Sequence, residues 1–467
     1  MTNIPLPSNY GKGESLRFDA SRLDNLYAVP AIQGSGARSP FYLKGSPGFD
    51  VFANISPTSS SRMIYDVRGV LYAVVGEDLY EISSGGAYLN KGTIVGINDV
   101  SRAKINDELV IVSDNISYVY KQPTSTLTQI SDPDFYVADA VTGQNQRVIF
   151  NRRATGQYFW SDTLNALSYD GLNLATAEAN DDNLVAPVAA YDDLWLFGTQ
   201  TIEVVREGIG GDYDRISGVV LDVGLAAKNA VTRCRNALYW LGNDGVVYVA
   251  NGYTPQEIST QAIKDQIAKM SMLKARMFSY SSLGNAFVVL SLPEHAMTFE
   301  YNTHTGLWNE RSSFGSFVGW RVKDVVQCYG NQYAIDATGG RILHLRHDSM
   351  TEAGSPIIRT VEMMVTPDNS SSFTVDRLEL IVENGMGGIT SGAVDDPVFM
   401  LSWSKDGGRT FGTPLHVSAG LQGQYQTKVV FRRLGQFNLG AVFRLQFSSN
   451  TPCNIIAADA ILEGRGV

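Results

Sequence analysis

The stretch RNALYWLGNDGVVYVA, residues 235–250, decides the fold class, because it alternates polar turns with short apolar strands. It opens on Arg235 and Asn236, runs through ALYWL, turns at GNDG and ends on VVYVA. Asn, Asp and Gly tolerate the positive φ of tight hairpin turns, and aromatic and β-branched residues favour strands. Strands that are apolar on both faces are covered on both sides. The stretch therefore predicts a β-hairpin buried between two neighbours.

The same pattern recurs along the chain, so that seven copies can be aligned. The copies open near Gly69, Asp107, Asn145, Asp193, Asn236, Asn285 and Asn331. Their spacing of 38 to 49 residues is the period of four-stranded propeller blades. A closed ring of blades also removes the exposed sheet edges that an open stack would keep. We therefore predict a β-propeller of about seven blades over residues 55–350, with hairpins arranged in two sandwiches as the alternative.

The segments that flank the repeat differ from it in hydrophobic periodicity and composition. Residues 1–54 show little periodicity and are predicted to be an extended N-terminal arm that lies on a neighbour or closes the ring. Residues 351–467 open with a small-residue linker and continue as short strands between turn signals, which predicts a C-terminal β-sandwich. Residues 262–277 have helical spacing of apolar side chains and predict one short amphipathic helix, capped by Ser259 or Thr260. The predicted fold class is all-β.

Composition excludes several classes of protein. The chain of 467 residues has a formal net charge of −10, whereas a dedicated nucleic-acid binder shows a basic stripe. Its three cysteines, Cys234, Cys328 and Cys453, are far apart, which argues against a disulfide framework and favours a reducing compartment. No apolar run approaches the roughly 20 residues of a membrane helix, and the polar start lacks the core of a signal peptide. We expect a soluble protein that is made in a cytoplasm.

The sharpest local motif is SKDGGRTF, residues 404–411, which fits the pattern of an Asp-box. Its candidate structural residues are Ser404, Asp406, Gly408, Thr410 and Phe411. We expect the Asp406 carboxylate to accept backbone N–H bonds across a hairpin turn, Gly408 to supply an unusual φ and Phe411 to anchor the turn in the core. A structural turn is the preferred interpretation, and a ligand-binding loop is the alternative.

Other polar groupings do not form a reactive constellation. Glu178, Asp181 and Asp182 cluster in an apparent loop, where the alternative is a glycosidase carboxylate pair. His344 and His347 fall on opposite faces of a predicted strand, which argues against a shared metal ion. The glycine-rich loops lack a following phosphate-binding lysine, and no nucleophile elbow is visible. We therefore expect no catalytic residues, no metal and no cofactor, and a protein that is not an enzyme.

Short stretches scattered over most of the chain together resemble one known family. They are Asn25 to Tyr27 with Pro30, Tyr42-Leu43, Ser46 to Phe49, Ala177-Glu178 with Asp182, Phe197-Gly198 with Thr201 to Glu203, Leu292 to His295, and Tyr301 with Gly306 to Trp308. In their order, and in the length of the chain, they are similar to the packaged-DNA-stabilising tail-hub proteins of podoviruses.

This resemblance implies a structural subunit of a bacteriophage tail hub or nozzle. Family members are subunits of a six-fold ring below the portal and its adaptor ring, hold a tail needle or plug, and carry tailspikes or fibres. The chain would then form a homo-hexamer, extend the portal–adaptor channel and retain packaged genomic DNA without sequence-specific binding. It would occur in the virion tail, and in the host cytoplasm during assembly, without inserting into a membrane. The resemblance brings no catalytic residues.

The rival interpretation is a glycan-binding or glycan-cleaving propeller of the sialidase type. The Asp-box and the aromatic content support it. Such an enzyme is expected to repeat the Asp-box in several blades and to collect arginines at the centre of the ring. Here the one full Asp-box lies outside the hairpin repeat. For a hub we expect no continuous basic stripe on the ring-facing surface, because tight phosphate contacts would stall the passage of DNA.

Overall fold

The computed structural model describes residues 2–15, 19–32, 37–177, 180–315, 319–366, 372–387, 389–390, 393–394, 396–438 and 440–464. Within these residues the regular structure is almost entirely β, with 43 strands, one α-helix and one short 3-10 helix. The strands form a propeller and a sandwich. The all-β prediction is therefore confirmed.

Seven blades of four antiparallel strands form the propeller. Blades 1 to 5 are separate sheets whose strands follow one another in chain order, and blades 6 and 7 are parts of larger sheets. Blade 1 comprises Ser61–Val67, Val70–Val75, Asp78–Ile82 and Tyr88–Thr93. Blade 2 comprises Ser101–Ile105, Glu108–Ser113, Ile116–Lys121 and Thr126–Gln129. Blade 3 comprises Val141–Gln144, Arg147–Asn151, Gln157–Asp162 and Asn165–Thr176. The first strand of each blade lies at the propeller axis, and most first strands contact the first strand of the following blade.

The remaining four blades repeat this order, except that the last one borrows a strand from the N-terminal segment. Blade 4 comprises Leu184–Ala190, Asp193–Gly198, Ile202–Glu207 and Tyr213–Leu221. Blade 5 comprises Val231–Cys234, Ala237–Leu241, Val247–Asn251 and Thr254–Glu257. Blade 6 comprises Arg276–Ser282, Asn285–Leu292, Met297–Asn302 and Leu307–Glu310. Blade 7 comprises Val322–Cys328, Asn331–Asp336, Gly340–Leu345 and, as its outermost strand, Phe49–Ser56.

A two-residue turn joins the first and second strands of every blade. The first turn residue has a positive φ of 48° to 58° in all seven, at Arg68, Asn106, Asn145, Tyr191, Arg235, Leu283 and Tyr329. The second turn residue also has a positive φ in four of them, Gly69, Gln146, Gly284 and Gly330, and a positive φ at both positions matches the right-handed twist of the strands. Asn occupies the first position only twice, so the repeat was visible in the sequence mainly through the Gly, Asp or Asn beside it.

Buried side chains fill the spaces between neighbouring blades. Successive residues of a strand point to opposite faces, so Leu109 and Ile111 of blade 2 pack against blade 1. Val110 and Val112 of the same strand pack against blade 3. Fully burying one such side chain stabilises the fold by about 1.5–3 kcal/mol relative to leaving it exposed. This two-sided burial explains why the strands that marked the repeat are apolar throughout.

The C-terminal sandwich consists of two sheets around one apolar core. One sheet contains Thr2–Ile4, Leu26–Pro30, Phe41–Gly45, Phe373–Val382, Val429–Phe437 and Asn454–Gly464. The other contains Arg22–Asp24, Arg359–Val365, Val398–Ser404, Leu415–Ser418 and Ala441–Phe447. The remaining strands form two small hairpins. Thr351–Glu352 pairs with Ser355–Pro356 beside blade 7, and Ile389–Thr390 pairs with Ala393–Val394.

The N-terminal segment differs from the extended arm that the sequence predicted for residues 1–54. Four of its strands belong to the sandwich, and one of these, Arg22–Asp24, also pairs in parallel with Leu307–Glu310 of blade 6. One nine-stranded sheet thereby runs from the propeller into the sandwich. The predicted boundary at residue 54 falls within Phe49–Ser56, whose pairing with blade 7 closes the ring. Strands of three to five residues whose partners are more than 250 residues away carry no local pattern that sequence periodicity could detect.

The predicted helix is shorter than its apolar spacing indicated. It spans Gln261–Ile267, and the Thr260 hydroxyl caps it by accepting the Ile263 N–H at 3.4 Å. Buried Ile263 and Ile267 anchor it, whereas Leu273 is 83% exposed beyond its end. Met277, which fitted the helical spacing, instead lies in the first strand of blade 6. The helix connects the fifth and sixth blades, as expected. The 3-10 helix, Pro293–His295, lies within blade 6.

Candidate functional site

The Asp-box forms a closed turn after the sandwich strand Val398–Ser404. Asp406 Oδ1 accepts the Arg409 and Thr410 N–H groups at 2.9 and 3.0 Å. Its Oδ2 accepts the Thr410 hydroxyl at 2.6 Å. The Ser404 hydroxyl donates to Asp406 at 2.5 Å and accepts the Gly408 N–H at 2.8 Å. Both carboxylate oxygens are thus engaged within the turn.

These hydrogen bonds, from the Ser404 and Thr410 hydroxyls first, hold the pKa of the Asp406 carboxyl well below its usual value. Gly408 has a φ of 87°, a conformation that side chains with a Cβ rarely adopt. Phe411 is only half-buried, under the Arg444 guanidinium, whose carbon lies 3.5 Å from the ring centroid. It therefore differs from the core anchor that the motif predicted. Ligand binding by this loop stays an untested alternative.

The other predicted polar groupings do not assemble into one site. Asp182 Oδ2 accepts the Gln200 and Thr201 N–H groups at 2.7 and 3.0 Å, so it holds a blade turn. Glu178 lies outside the described residues. His344 packs on the Tyr333 ring at 5.3 Å between centroids, and His347 is exposed. In the described part of the chain no group of three or more possible metal ligands occurs.

Charged residues from distant parts of the sequence meet at the propeller axis, and the sequence analysis did not predict this cluster. First strands and adjoining loops of all seven blades line a cavity of about 460 Å³. Six basic and two acidic residues are among its lining: Arg62, Arg102, Lys228, Arg233, Arg276, Lys323, Asp99 and Asp324. This excess of positive charge contrasts with the net charge of −10 of the whole chain.

The two carboxylates at the axis are bound by cations from other blades. Asp99 lies 2.7 Å from the Arg276 guanidinium and also pairs with Lys323. Burial opposes the ionisation of Asp99, yet Arg276 and Lys323 together hold the pKa of its carboxyl below its usual value. Burial lowers the pKa of the Lys323 ammonium, although the negative charge of Asp99 acts to raise it. Asp324 pairs with Arg102.

A signal for these residues was present in the repeat. Arg62, Arg102, Arg276 and Lys323 occupy the first or second position of the first strand of their blades. Equivalent positions of a repeat occupy equivalent places around the axis. A basic residue recurring there in four of seven blades therefore predicts a concentration of positive charge at the axis.

A second charged region lies where blade 6 meets the sandwich. The Arg22 Nε donates to Glu310 at 2.5 Å, and its guanidinium lies 3.3 Å from Asp24. The Ser312 hydroxyl donates to Asp24 at 2.9 Å. Burial raises the pKa of Glu310 to about 7, against the opposing attraction of Arg22. One buried acid-rich cluster therefore bridges the N-terminal segment and the propeller.

Beside this cluster, a fully buried arginine ties three segments together. The Arg311 guanidinium lies 4.0 Å from Glu300 and 3.9 Å from Glu352, and it donates to the Pro47 carbonyl at 3.1 Å. It also lies 4.1 Å from the centroid of the Trp320 ring, whose Nε1 donates to Glu352 at 2.8 Å. Blade 6, the N-terminal segment and the linker after blade 7 meet at this one cation. We call these two clusters together the junction.

Comparison with known families covers nearly the whole chain. A family model described as bacteriophage P22 Gp10, β-propeller, matches residues 2–350. A second, described as bacteriophage P22 Gp10, β-sandwich, matches residues 359–463. The chain belongs to this family. The resemblance to phage DNA-stabilising tail proteins is therefore confirmed, together with the β-propeller and the C-terminal β-sandwich. The protein is a structural protein of a bacteriophage tail.

Several solved structures are similar to this chain, but only at low identity. The extracellular domain of BT4673 from B. thetaiotaomicron is 9% identical, with 69% of this chain and 46% of that one covered and a TM-score of 0.44. YCF48 bound to D1 peptide is 10% identical, with 68% and 97% covered and a TM-score of 0.41. The Cps50 (Swd1) propeller of Myceliophteria thermophila is 10% identical, with 64% and 99% covered and a TM-score of 0.42. No curated protein sequence matches the chain directly.

The family match does not favour the rival glycan-acting propeller. The axis does hold arginines, as that rival requires, but the one full Asp-box lies in the sandwich and not in a blade. Among the described residues, no helix has the length and apolarity to cross a bilayer.

Proposed function

We propose that the protein is a subunit of the tail hub or nozzle, which extends the portal–adaptor channel and retains packaged DNA. It also seats the tail needle and the tailspikes or fibres. The observation that carries this proposal is the match of both domains, residues 2–350 and 359–463, to one phage tail family. No step of the proposed function is catalytic.

The construction of the molecule suits a part that bears load. The nine-stranded sheet that joins blade 6 to the sandwich continues backbone hydrogen bonding across the domain boundary. The strand Phe49–Ser56 closes the ring with a segment distant in sequence, so blade 7 cannot separate without breaking that pairing. Domains that share a sheet in this way move less freely than domains joined by a linker.

In the proposed hub the protein forms a six-membered ring of identical subunits on the portal-bound adaptor ring, and genomic DNA passes through the channel. The described strands of the N-terminal segment are paired within the chain itself. We therefore expect other surfaces, such as the blade turns and the loops of the sandwich, to contact the adaptor. Ring formation on a template, rather than in free solution, keeps the channel open until packaging has ended.

The retention of DNA is tested with filled heads from a phage that lacks this chain. Such heads carry portal and adaptor but are expected to release their DNA on standing, measured as DNA that becomes accessible to nuclease. Adding the purified protein is expected to restore protection, whereas an unrelated propeller of similar size does not. Heads that keep their DNA equally well without the protein would contradict the retention role.

A further inference from the structure

The cavity at the propeller axis is open enough to admit a small ion. Residues of all seven blades line its volume of about 460 Å³. One water occupies about 30 Å³ of liquid, so the space holds an ion of several atoms together with its remaining hydration. A DNA duplex, with a major groove alone about 12 Å wide, is too large for it.

The balance of charge at the axis favours an anion. Each of the two carboxylates is already bound, Asp324 by Arg102, and Asp99 by both Arg276 and Lys323. One carboxylate facing two cations leaves one positive charge in excess. Cations held close together in a low-dielectric site repel one another strongly unless a counter-charge joins them.

Further positive charge comes from cations that form no ion pair among the described residues, although Asp114, Asp99 and Glu77 attract Arg62 at longer range. Among the described residues no carboxylate lies within ion-pair distance of Lys228, which attracts Asp99 only at longer range. Arg233 lies over the Tyr191 ring at 4.6 Å. Arg62 is buried and donates to the carbonyls of Asn98, Gly76 and Ile94 instead of to an acid.

The cations at this site are guanidinium and ammonium groups. Guanidinium groups present fixed donors that match the oxygens of phosphate, and lysine adds a mobile point charge. A metal cation would meet an excess of like charge here, and a neutral ligand would leave that excess uncompensated.

We propose that the propeller axis binds a phosphate group, either as inorganic phosphate or as the terminal monoester of a nucleotide. The anion contacts Lys228 and the excess cations around Asp99. It links blades on opposite sides of the axis, so its binding stabilises the closed ring. This site is independent of the proposed hub function.

Isothermal titration with inorganic phosphate, at an ionic strength held constant with sodium chloride, tests the proposal. We expect saturable binding, and a rise in the unfolding temperature with phosphate that sulfate reproduces only in part. Adenosine monophosphate in a second titration distinguishes a monoester from the free ion. The absence of saturable binding of either probe would overturn the proposal.

Lys228→Gln assigns the binding to the axis. Lys228 is half-buried and makes no ion pair among the described residues, so its loss is expected to leave the fold intact. We expect phosphate to bind the variant about tenfold more weakly, the effect of losing one charged contact worth roughly 1.4 kcal/mol. Lys269→Gln, at an exposed position just after the helix, is the matched control and is expected to bind like the parent. Equal affinities of parent and Lys228→Gln would show binding elsewhere and contradict the assignment.

Discussion

The junction and the propeller axis both bring charged side chains together from distant parts of the chain, but they balance the charges differently. At the junction, acids outnumber bases and the cluster is buried, so that Glu310 is held partly protonated near neutral pH. At the axis, bases outnumber acids around an open cavity. The two arginines of the junction face more carboxylates than they can neutralise, whereas the axis carries positive charge in excess of its two carboxylates.

In this molecule, the charged region that contributes to folding stability is separate from the charged region that faces a cavity. Buried charge that is paired holds segments in one arrangement, and removing one partner leaves the other unsatisfied. Charge facing a cavity costs less, because water and ions reach it. Substitutions at the junction are therefore expected to act on folding, and substitutions at the axis on ligand binding.

The largest expected effect is that of Arg311→Met at the junction. This variant leaves Glu300 and Glu352 buried without their shared cation, which is expected to lower the free energy of unfolding by about 3–5 kcal/mol. Urea denaturation measures the loss. Adding Glu300→Gln and Glu352→Gln to the same chain is expected to recover part of it. A loss as small as that of an exposed arginine, such as Arg346→Ala, would mean that the cluster does not hold the segments together.

The next effect is a dependence of stability on pH that comes from Glu310. Its folded pKa of about 7 lies above the unfolded value, which is about 4.3. The folded state therefore holds a proton that the unfolded state releases, and stability is lost as the pH rises from about 4.3 to 7. The contribution is about 4 kcal/mol at most, because each pKa unit corresponds to about 1.4 kcal/mol.

Denaturation at pH 5 and pH 8 checks this sign. The parent protein is expected to lose more stability between the two values than Glu310→Gln, whose amide cannot ionise. Both proteins share every other titrating group, so the difference between their slopes reports Glu310 together with its effect on the neighbouring Asp24 carboxyl. Identical slopes would show that Glu310 is ionised throughout this range.

The smallest effect is expected from the Asp-box turn, far from either charged region. Asp406→Ala removes the acceptor of the Arg409 and Thr410 N–H groups and is expected to lower the unfolding temperature by a few degrees. The exposed Thr413→Ala is the control and is expected to change nothing. The effect should shrink as the pH falls below about 4, because the unfolded state then takes up a proton that the folded carboxylate, with its lowered pKa, does not yet bind. An Asp406→Ala protein of unchanged stability that loses binding to a host polysaccharide would favour a ligand-binding loop.

The sequence predicted the propeller because its information is local. Each blade carries its own two-residue turn and its own two-sided apolar strands, so the repeat is visible without knowledge of the partners. The strands Arg22–Asp24 and Thr2–Ile4 were missed, because their pairing depends on residues near the other end of the chain. The helix was overextended to Met277, because the apolar spacing continues past Ile267 into a turn and the next strand.

The two candidate sites differ in how far the sequence revealed them. The net charge of −10 averages over the whole chain and masks the basic axis, whose residues range from Arg62 to Lys323 and come from different blades. The Asp-box, in contrast, is a continuous motif, so its turn could be located to the residue. Only the role of Phe411 was misjudged, because its cover is the side chain of Arg444 on another strand.

The most direct test of the central claim is electron microscopy of the purified protein mixed with portal complexes that carry the adaptor ring. The proposed hub predicts a six-fold ring of this chain below the adaptor, with the channel continuous through it, and no such ring without the template. The matched sample omits the adaptor and is expected to show free subunits beside bare portals. A protein that remains free in the presence of the complete portal complex would contradict the account.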